Sequence, residues 1–252
     1  MDRFFVFLMS DSLEAALESS LVKLDLDQLK GDFRAQDEFL CIANFLPEEI
    51  LNGLLDSLPQ TTNSVHRNFI PKHKKGGSVS RYDLDITAPL IGELYGCNAL
   101  RNFFTELSER ELNVCPPEDP HTYALYFYTE PGDHIGYHYD TSYYQGQRYT
   151  VLIGLVNAPS CKLEYQLHTK NQHRETETHK VDLAPGMLVI FNGDKLYHRI
   201  TPLANNEQRI ALTFEYLTNT NMNPLLRFVS NMKDSIAYFG FRQVFRSTKK
   251  IN

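Results

Sequence analysis

The sequence predicts a mainly β protein whose strands are backed by an N-terminal helical support. Three observations carry that expectation. Residues 123–217 hold a close succession of β-rich runs: YALYFYT, RYTVLIGLV, KLEYQLH, HKVDLA, GMLVIFNG, HRITPL and RIALTFEYL. Pro131-Gly132, Pro185-Gly186 and Asn192-Gly193 punctuate them. The residues before them place apolar side chains mostly at helical spacing. So many strands so close together call for a sandwich or a closed barrel.

In chain order, Leu13, Ala16, Leu17, Leu21 and Leu24 lie near helical spacing and predict an early helix over 11–30. FLCIANF, 39–45, reads as a short strand. Pro47 followed by Glu48 and Glu49 is a helix start, since proline needs no amide partner in a first turn and the acids face the positive end of the helix dipole. Ile50, Leu51, Leu54, Leu55 and Leu58 give that helix its apolar face. A second helix is expected over about 90–112, and a C-terminal one near Phe228–Phe239. The basic stretch His66–Arg81, with Arg67, Lys72, Lys74, Lys75 and Arg81, reads as a solvated loop or as a mobile loop that meets an anionic group of a substrate.

Composition narrows the function classes. The chain has 252 residues, 42% of them hydrophobic, enough for a sizeable core around one large domain. The net charge of -6 is a poor basis for gripping a phosphate backbone, so no nucleic-acid partner is expected. No apolar run is long enough to span a membrane. MDRFFVFLMS is apolar but short, lacks a basic n-region, and reads better as a buried strand or helix than as a signal peptide. Cys41, Cys97, Cys115 and Cys161 are scattered, with no CxxC pair, which argues against a zinc cluster or disulfide framework and for a reducing, cytoplasmic setting.

The chemistry centres on His138-Tyr139-Asp140. Residues i and i+2 of a strand point to one face, so an imidazole and a carboxylate project together. A third ligand from a distant strand would complete two histidines and one carboxylate, a facial set with open positions for oxygen chemistry at iron(II). Alone, a His-x-Asp occurs often by chance. The context is stronger: PGMLVIFNGDKLYHRITP leads from a turn through an apolar strand to His198, and Arg209 opens the strand RIALTFEY. An inward arginine there needs a carboxylate partner, which its planar fork matches in bidentate fashion.

Tyr128-TEPGDHIGY-His138-Tyr-Asp140, PGMLVIF, His198-RITP and Arg209 together resemble the iron(II)/2-oxoglutarate dioxygenase superfamily, in its prolyl-hydroxylase-like branch. The resemblance covers about residues 123–217, and FLCIANFLPEEI also resembles a strand-then-helix lead-in common there. It implies a double-stranded β-helix (jelly-roll) core over 121–220, helical support over 1–120 and a helical extension over 221–252 of a single oxygenase domain. It assigns His138, Asp140 and His198 to Fe(2+), and Arg209 with Tyr128 to 2-oxoglutarate. It implies O2 as oxidant, with succinate and carbon dioxide released as a C–H bond is hydroxylated. Some relatives of similar size halogenate free amino acids with Gly or Ala in place of the carboxylate; Asp140 therefore favours hydroxylation, with desaturation or ring closure from the same hydrogen abstraction also open.

The small amino-acid-modifying relatives suggest a compact polar substrate, such as a free amino acid or derivative. The alternatives are a peptide side chain in the same kind of enzyme, or a non-catalytic jelly-roll binding module. Candidate substrate residues are His134, Arg148 as a carboxylate binder in the polar loop after Asp140, Asn157 and Arg81. His168, His173 and His179 lie in a polar stretch and read as solvated.

Overall fold

A computed structural model describes residues 3–120 and 122–222. The expected C-terminal helix near 228–239 lies outside the described residues. The expected helix over 11–30 is two helices, α1 (Arg3–Leu21) and α2 (Leu26–Ala35). Asp25 causes the break: its carboxylate accepts the Gln28 amide at 3.1 Å and caps α2. The next segments are β1 (Phe39–Ile42), shorter than expected, and α3 (Glu48–Thr61), which Pro47 opens as read.

The basic stretch is a correction. It forms a β-hairpin, β2 (His66–Ile70) with β3 (Lys74–Ser80), in register from His66–Ser78 to Ile70–Lys74. Lys74 is buried. Three short helices follow: α4 (Arg81–Thr87), α5 (Pro89–Gly96) and α6 (Asn98–Ser108). The single helix expected over 90–112 is therefore divided at Cys97, whose backbone is extended. The α6 start is closed by Glu14 of α1, which accepts the Asn98 and Ala99 amides at 3.1 and 2.6 Å.

The remaining strands are β4 (Asn113–Val114), β5 (Tyr123–Tyr128), β6 (His134–His138), β7 (Arg148–Val156), β8 (Leu163–Leu167), β9 (Glu177–Val181), β10 (Leu188–Asn192), β11 (Tyr197–Ile200) and β12 (Arg209–Leu217). All strands join one antiparallel sheet in the order β1-β10-β7-β12-β5-β3-β6-β11-β8-β9, with β2 on β3 and β4 on β12. The residues before 121 thus supply four strands as well as the helices.

The sheet curls into a half-barrel with two unlike faces. On the convex face Val151, Ile153, Leu155, Ile210, Leu212, Phe214 and Tyr216 pack against helical residues such as Leu54, Ile91, Leu100 and Phe104. Each such side chain contributes about 1.5–3 kcal/mol on burial. The concave face carries Tyr128, Leu163, Tyr165, Val189, Phe191 and Ala211. It also carries the buried polar residues Lys74, Thr150, His198, Arg209, Thr213 and Glu215. Period-two alternation along β7 and β12 sorts these two sets.

Candidate metal centre

Antiparallel pairing of β6 with β11 sets His138 directly opposite His198. Asp140 stands two residues past the end of β6, so the turn after the strand aims it, rather than the strand's own alternation. The Asn192-Gly193 turn after β10 packs beneath it. A Cβ at Gly193 would lie 2.7 Å from the Asp140 carbonyl oxygen and 2.9 Å from its Cβ, and only glycine admits that approach. Glu38 fixes the same turn, accepting from Asn192 Nδ2 at 2.8 Å, Lys195 Nζ at 2.8 Å and the Tyr149 hydroxyl at 2.7 Å.

His138, Asp140 and His198 each offer one ligand atom, all within 4.8 Å of one another. Each histidine turns Nδ1 to a backbone carbonyl two residues back: His138 to Gly136 at 2.8 Å, His198 to Leu196 at 3.2 Å. That arrangement holds the Nδ1–H tautomer and leaves the Nε2 lone pair to face the centre. His138 Nε2 lies 3.3 Å from Asp140 Oδ1, and His198 Nε2 lies 3.8 Å from Asp140 Oδ2. Burial and the neighbouring His138 push the His198 imidazole down to about 4, so it is neutral at pH 7 and free to donate its lone pair. Burial would lower His138 too, but the Asp140 carboxylate outweighs it and raises that imidazole above its ordinary value. Burial would raise Asp140; the two imidazoles hold it well below the usual carboxylate range instead. Two neutral-capable imidazoles and one ionised carboxylate, ringed on one face, suit an iron(II)-type ion with open positions.

Arg209 is buried on the concave face, paired across to Tyr128. Its guanidinium lies 5.0 Å from the centre of the Tyr128 ring. Its Nε has no hydrogen-bond partner among the described residues, and neither does Thr213 Oγ1 on the same face of β12. A buried arginine with spare donors fits an acidic ligand. Carboxylate-bearing 2-oxoglutarate fits that donor set, as the two-histidine carboxylate cluster fits the metal.

The four substrate candidates are not gathered around this centre. Arg148 faces it but is engaged: its Nε donates to Glu215 Oε2 at 2.6 Å. Asn157 lies one residue past the other end of β7, roughly 30 Å along the strand by its rise per residue, so the two cannot grip one compact substrate. His134 pairs across to Lys75, whereas Ile135 pairs to the buried Lys74. Cross-strand partners share a face. A register shift before His138 therefore separates His134 from the metal side, and its Nδ1 meets the Gly132 carbonyl at 2.8 Å. Arg81 stacks on Tyr123, with its guanidinium 5.4 Å from the ring centre, and pairs with Asp85 at 3.6 Å; Tyr123 belongs to the helix-backed core. His168 is a further correction: it is buried, with Asp37 and Glu177 both at 3.8 Å. His173 is exposed as read, and so is His179.

The structure adds neighbours that sequence reasoning passed over. The His73 ring in the β2–β3 turn lies 6.1 Å from that of His138. Lys74 sits 5.1 Å from the Tyr126 ring centre. Thr150 donates to Asp140 Oδ2 at 2.9 Å. The available signal for Thr150 and Glu215 was a polar residue at an inward position of an otherwise apolar strand.

The curled sheet, with its histidine–carboxylate cluster at one end, is the fold of the non-haem iron 2-oxoglutarate oxygenases. Similar solved structures include the α-ketoglutarate-dependent epimerase SnoN from nogalamycin biosynthesis, with TM-score 0.64 and 13% identity over 80% of this chain and 88% of that one. The prolyl-4-hydroxylase of Pseudomonas putida matches at TM-score 0.57 and 14% identity, over 76% and 97%. The prolyl hydroxylase of Trichoplax adhaerens, solved with a hypoxia inducible factor peptide, matches at 0.59 and 14%, over 91% and 98%. No curated protein matches the sequence. Residues 22–228 match the Halogenase D family, and the chain belongs to that family.

Proposed function

We propose that the protein is an iron(II)- and 2-oxoglutarate-dependent oxygenase that hydroxylates an unactivated C–H bond of a small polar substrate, a free amino acid or derivative. The observation that carries this reading is the convergence of three ligand atoms within 4.8 Å on the concave face that also buries Arg209. Iron with 2-oxoglutarate and O2 supplies the oxidant for hydrogen-atom abstraction, and the overall reaction turns C–H, O2 and 2-oxoglutarate into C–OH, succinate and carbon dioxide. His138, Asp140 and His198 hold the metal. Arg209 pairs with the distal carboxylate of the co-substrate, and Tyr128 packs the guanidinium in place. The buried Phe191 ring, 4.9 Å from that of His198, keeps bulk water from that side of the centre, which strengthens the electrostatic contacts there.

Halogenation is the second reading, favoured by the family's name. Against it stands Asp140, an ionised carboxylate that fills the third ligand position and is anchored there by Thr150. One experiment decides between them. Anaerobic protein is mixed with iron(II) and 2-oxoglutarate, the visible charge-transfer band is recorded, and oxygen is admitted over a panel of free amino acids with chloride present. A band, substrate-stimulated succinate and a product heavier by one oxygen support hydroxylation. Replacement of hydrogen by chlorine overturns it in favour of halogenation, and absence of a band overturns the oxygenase reading.

A further inference from the structure

The neighbouring strands β7 and β12 bring three polar side chains into one line behind Asp140. Thr150 pairs across to Glu215, and Arg148 to Leu217. Arg148 Nε donates to Glu215 Oε2 at 2.6 Å. Thr150 Oγ1 lies 2.9 Å from Asp140 Oδ2 and 3.0 Å from that same Glu215 Oε2. Thr150 and Glu215 are 2% and 5% exposed, so water does not dilute these contacts.

A threonine hydroxyl has one proton and faces two carboxylates here, so it can satisfy only one. The guanidinium settles the competition, because it gives Glu215 Oε2 a short charge-assisted donor. The hydroxyl proton is left for Asp140.

We propose that Arg148, Glu215 and Thr150 form a positioning chain that fixes the rotation of the Asp140 carboxylate, engaging Oδ2 and presenting Oδ1 to the metal. The proposal rests on the metal-site reading above. Oδ1 lies 3.3 Å from His138 Nε2, whereas Oδ2, already held by Thr150, lies 3.8 Å from His198 Nε2, so Oδ1 is the oxygen nearer a ligand nitrogen. None of the three belongs to the ligand set of His138, Asp140 and His198; each acts through Asp140. The chain also gives Arg148 an occupation other than substrate recognition. Outer groups that orient a ligand in this way typically change metal affinity by about 10–100-fold when removed.

The test uses metal-free full-length protein titrated anaerobically with cobalt(II), read by its visible ligand-field absorption, beside the melting temperature of the metal-free form. Thr150→Val keeps shape and loses the hydroxyl; it is expected to weaken cobalt binding by about 10–100-fold and to alter the band shape. Thr150→Ser keeps the hydroxyl and is expected to bind as wild type. Arg148→Met removes the charge-assisted donor to Glu215 Oε2, so that this oxygen competes for the threonine proton, and is expected to weaken binding. The double variant Arg148→Met/Glu215→Leu removes the competitor and is expected to regain affinity, a pattern that a purely structural role would not produce. The proposal is overturned if Thr150→Val binds cobalt as wild type with an unchanged spectrum, or if Thr150→Ser loses as much as Thr150→Val. Should Thr150→Val not fold, equal affinity in the Arg148 single and double variants overturns it independently. If wild type and His198→Ala take up cobalt alike, the metal site itself fails, and the proposal with it.

Discussion

The two faces of β12 are built from alternate residues of one strand, yet they do opposite things. Ile210, Leu212, Phe214 and Tyr216 enter the helix-backed core. Arg209, Ala211, Thr213 and Glu215 face the concavity, where three of the four are polar and all are buried. The first set contributes stability through transfer of apolar surface. In the second, Arg209 and Thr213 cost stability in the absence of ligands, because a buried charge and donors without partners among the described residues are unfavourable until something meets them. The contrast teaches that the helices stabilise a sheet whose other face is organised for binding.

The sharpest way to break this comparison is at the metal. His198→Ala should abolish iron(II) and cobalt(II) uptake in a titration while leaving the metal-free melting temperature close to wild type. On the convex face the effect should reverse. Leu212→Ala should cost about 2–5 kcal/mol in denaturant unfolding, yet the folded fraction should bind metal with unchanged affinity. Arg209→Met should weaken 2-oxoglutarate binding by about 2–5 kcal/mol, read as loss of the visible band at fixed co-substrate. The same change should leave the metal-free protein as stable or more stable, since it removes a buried charge with an unpaired Nε. A loss of stability without loss of co-substrate affinity would reassign Arg209 to the fold. The smallest effect is expected at Gly193→Ala, where the added Cβ presses on Asp140. Metal affinity should fall by about tenfold, and because the added Cβ meets the Asp140 backbone rather than a flexible side-chain tip, unfolding stability should fall as well, by about 1–3 kcal/mol.

Much of this was readable before the structure. The β-rich runs became β5 and β7–β12, and Pro47 opens α3 as expected. His138, Asp140 and His198 converge at one centre. The strands and the α3 start succeed because they depend on short-range rules, period-two alternation and turn chemistry; the ligand set was implied by the resemblance to the dioxygenase superfamily, since Asp140 lies past the end of β6 and His198 comes from a distant strand. The misreadings have one cause. A local pattern was extended past a point where a tertiary contact interrupts it. The 66–81 stretch looks like a solvated basic loop because its charges are counted, but Lys74 alternates inward once β3 finds β5 and β6. His134 shares the parity of His138, and a register shift against β11 removes that relation. Arg148 reads as a free cation until β12 places Glu215 beside it.

The sequence by itself determined most of the core strands, the start of α3 and the residue types available to a metal, since each follows from spacing and turn chemistry within a few residues. Only the tertiary structure decided which of those side chains meet. The pairing of β6 with β11 and of β7 with β12 joins residues about sixty apart in the chain, at His138–His198 and Thr150–Glu215. A hydrogen bond reaches about 3 Å, so partners at that separation are fixed by sheet register, which no local pattern encodes.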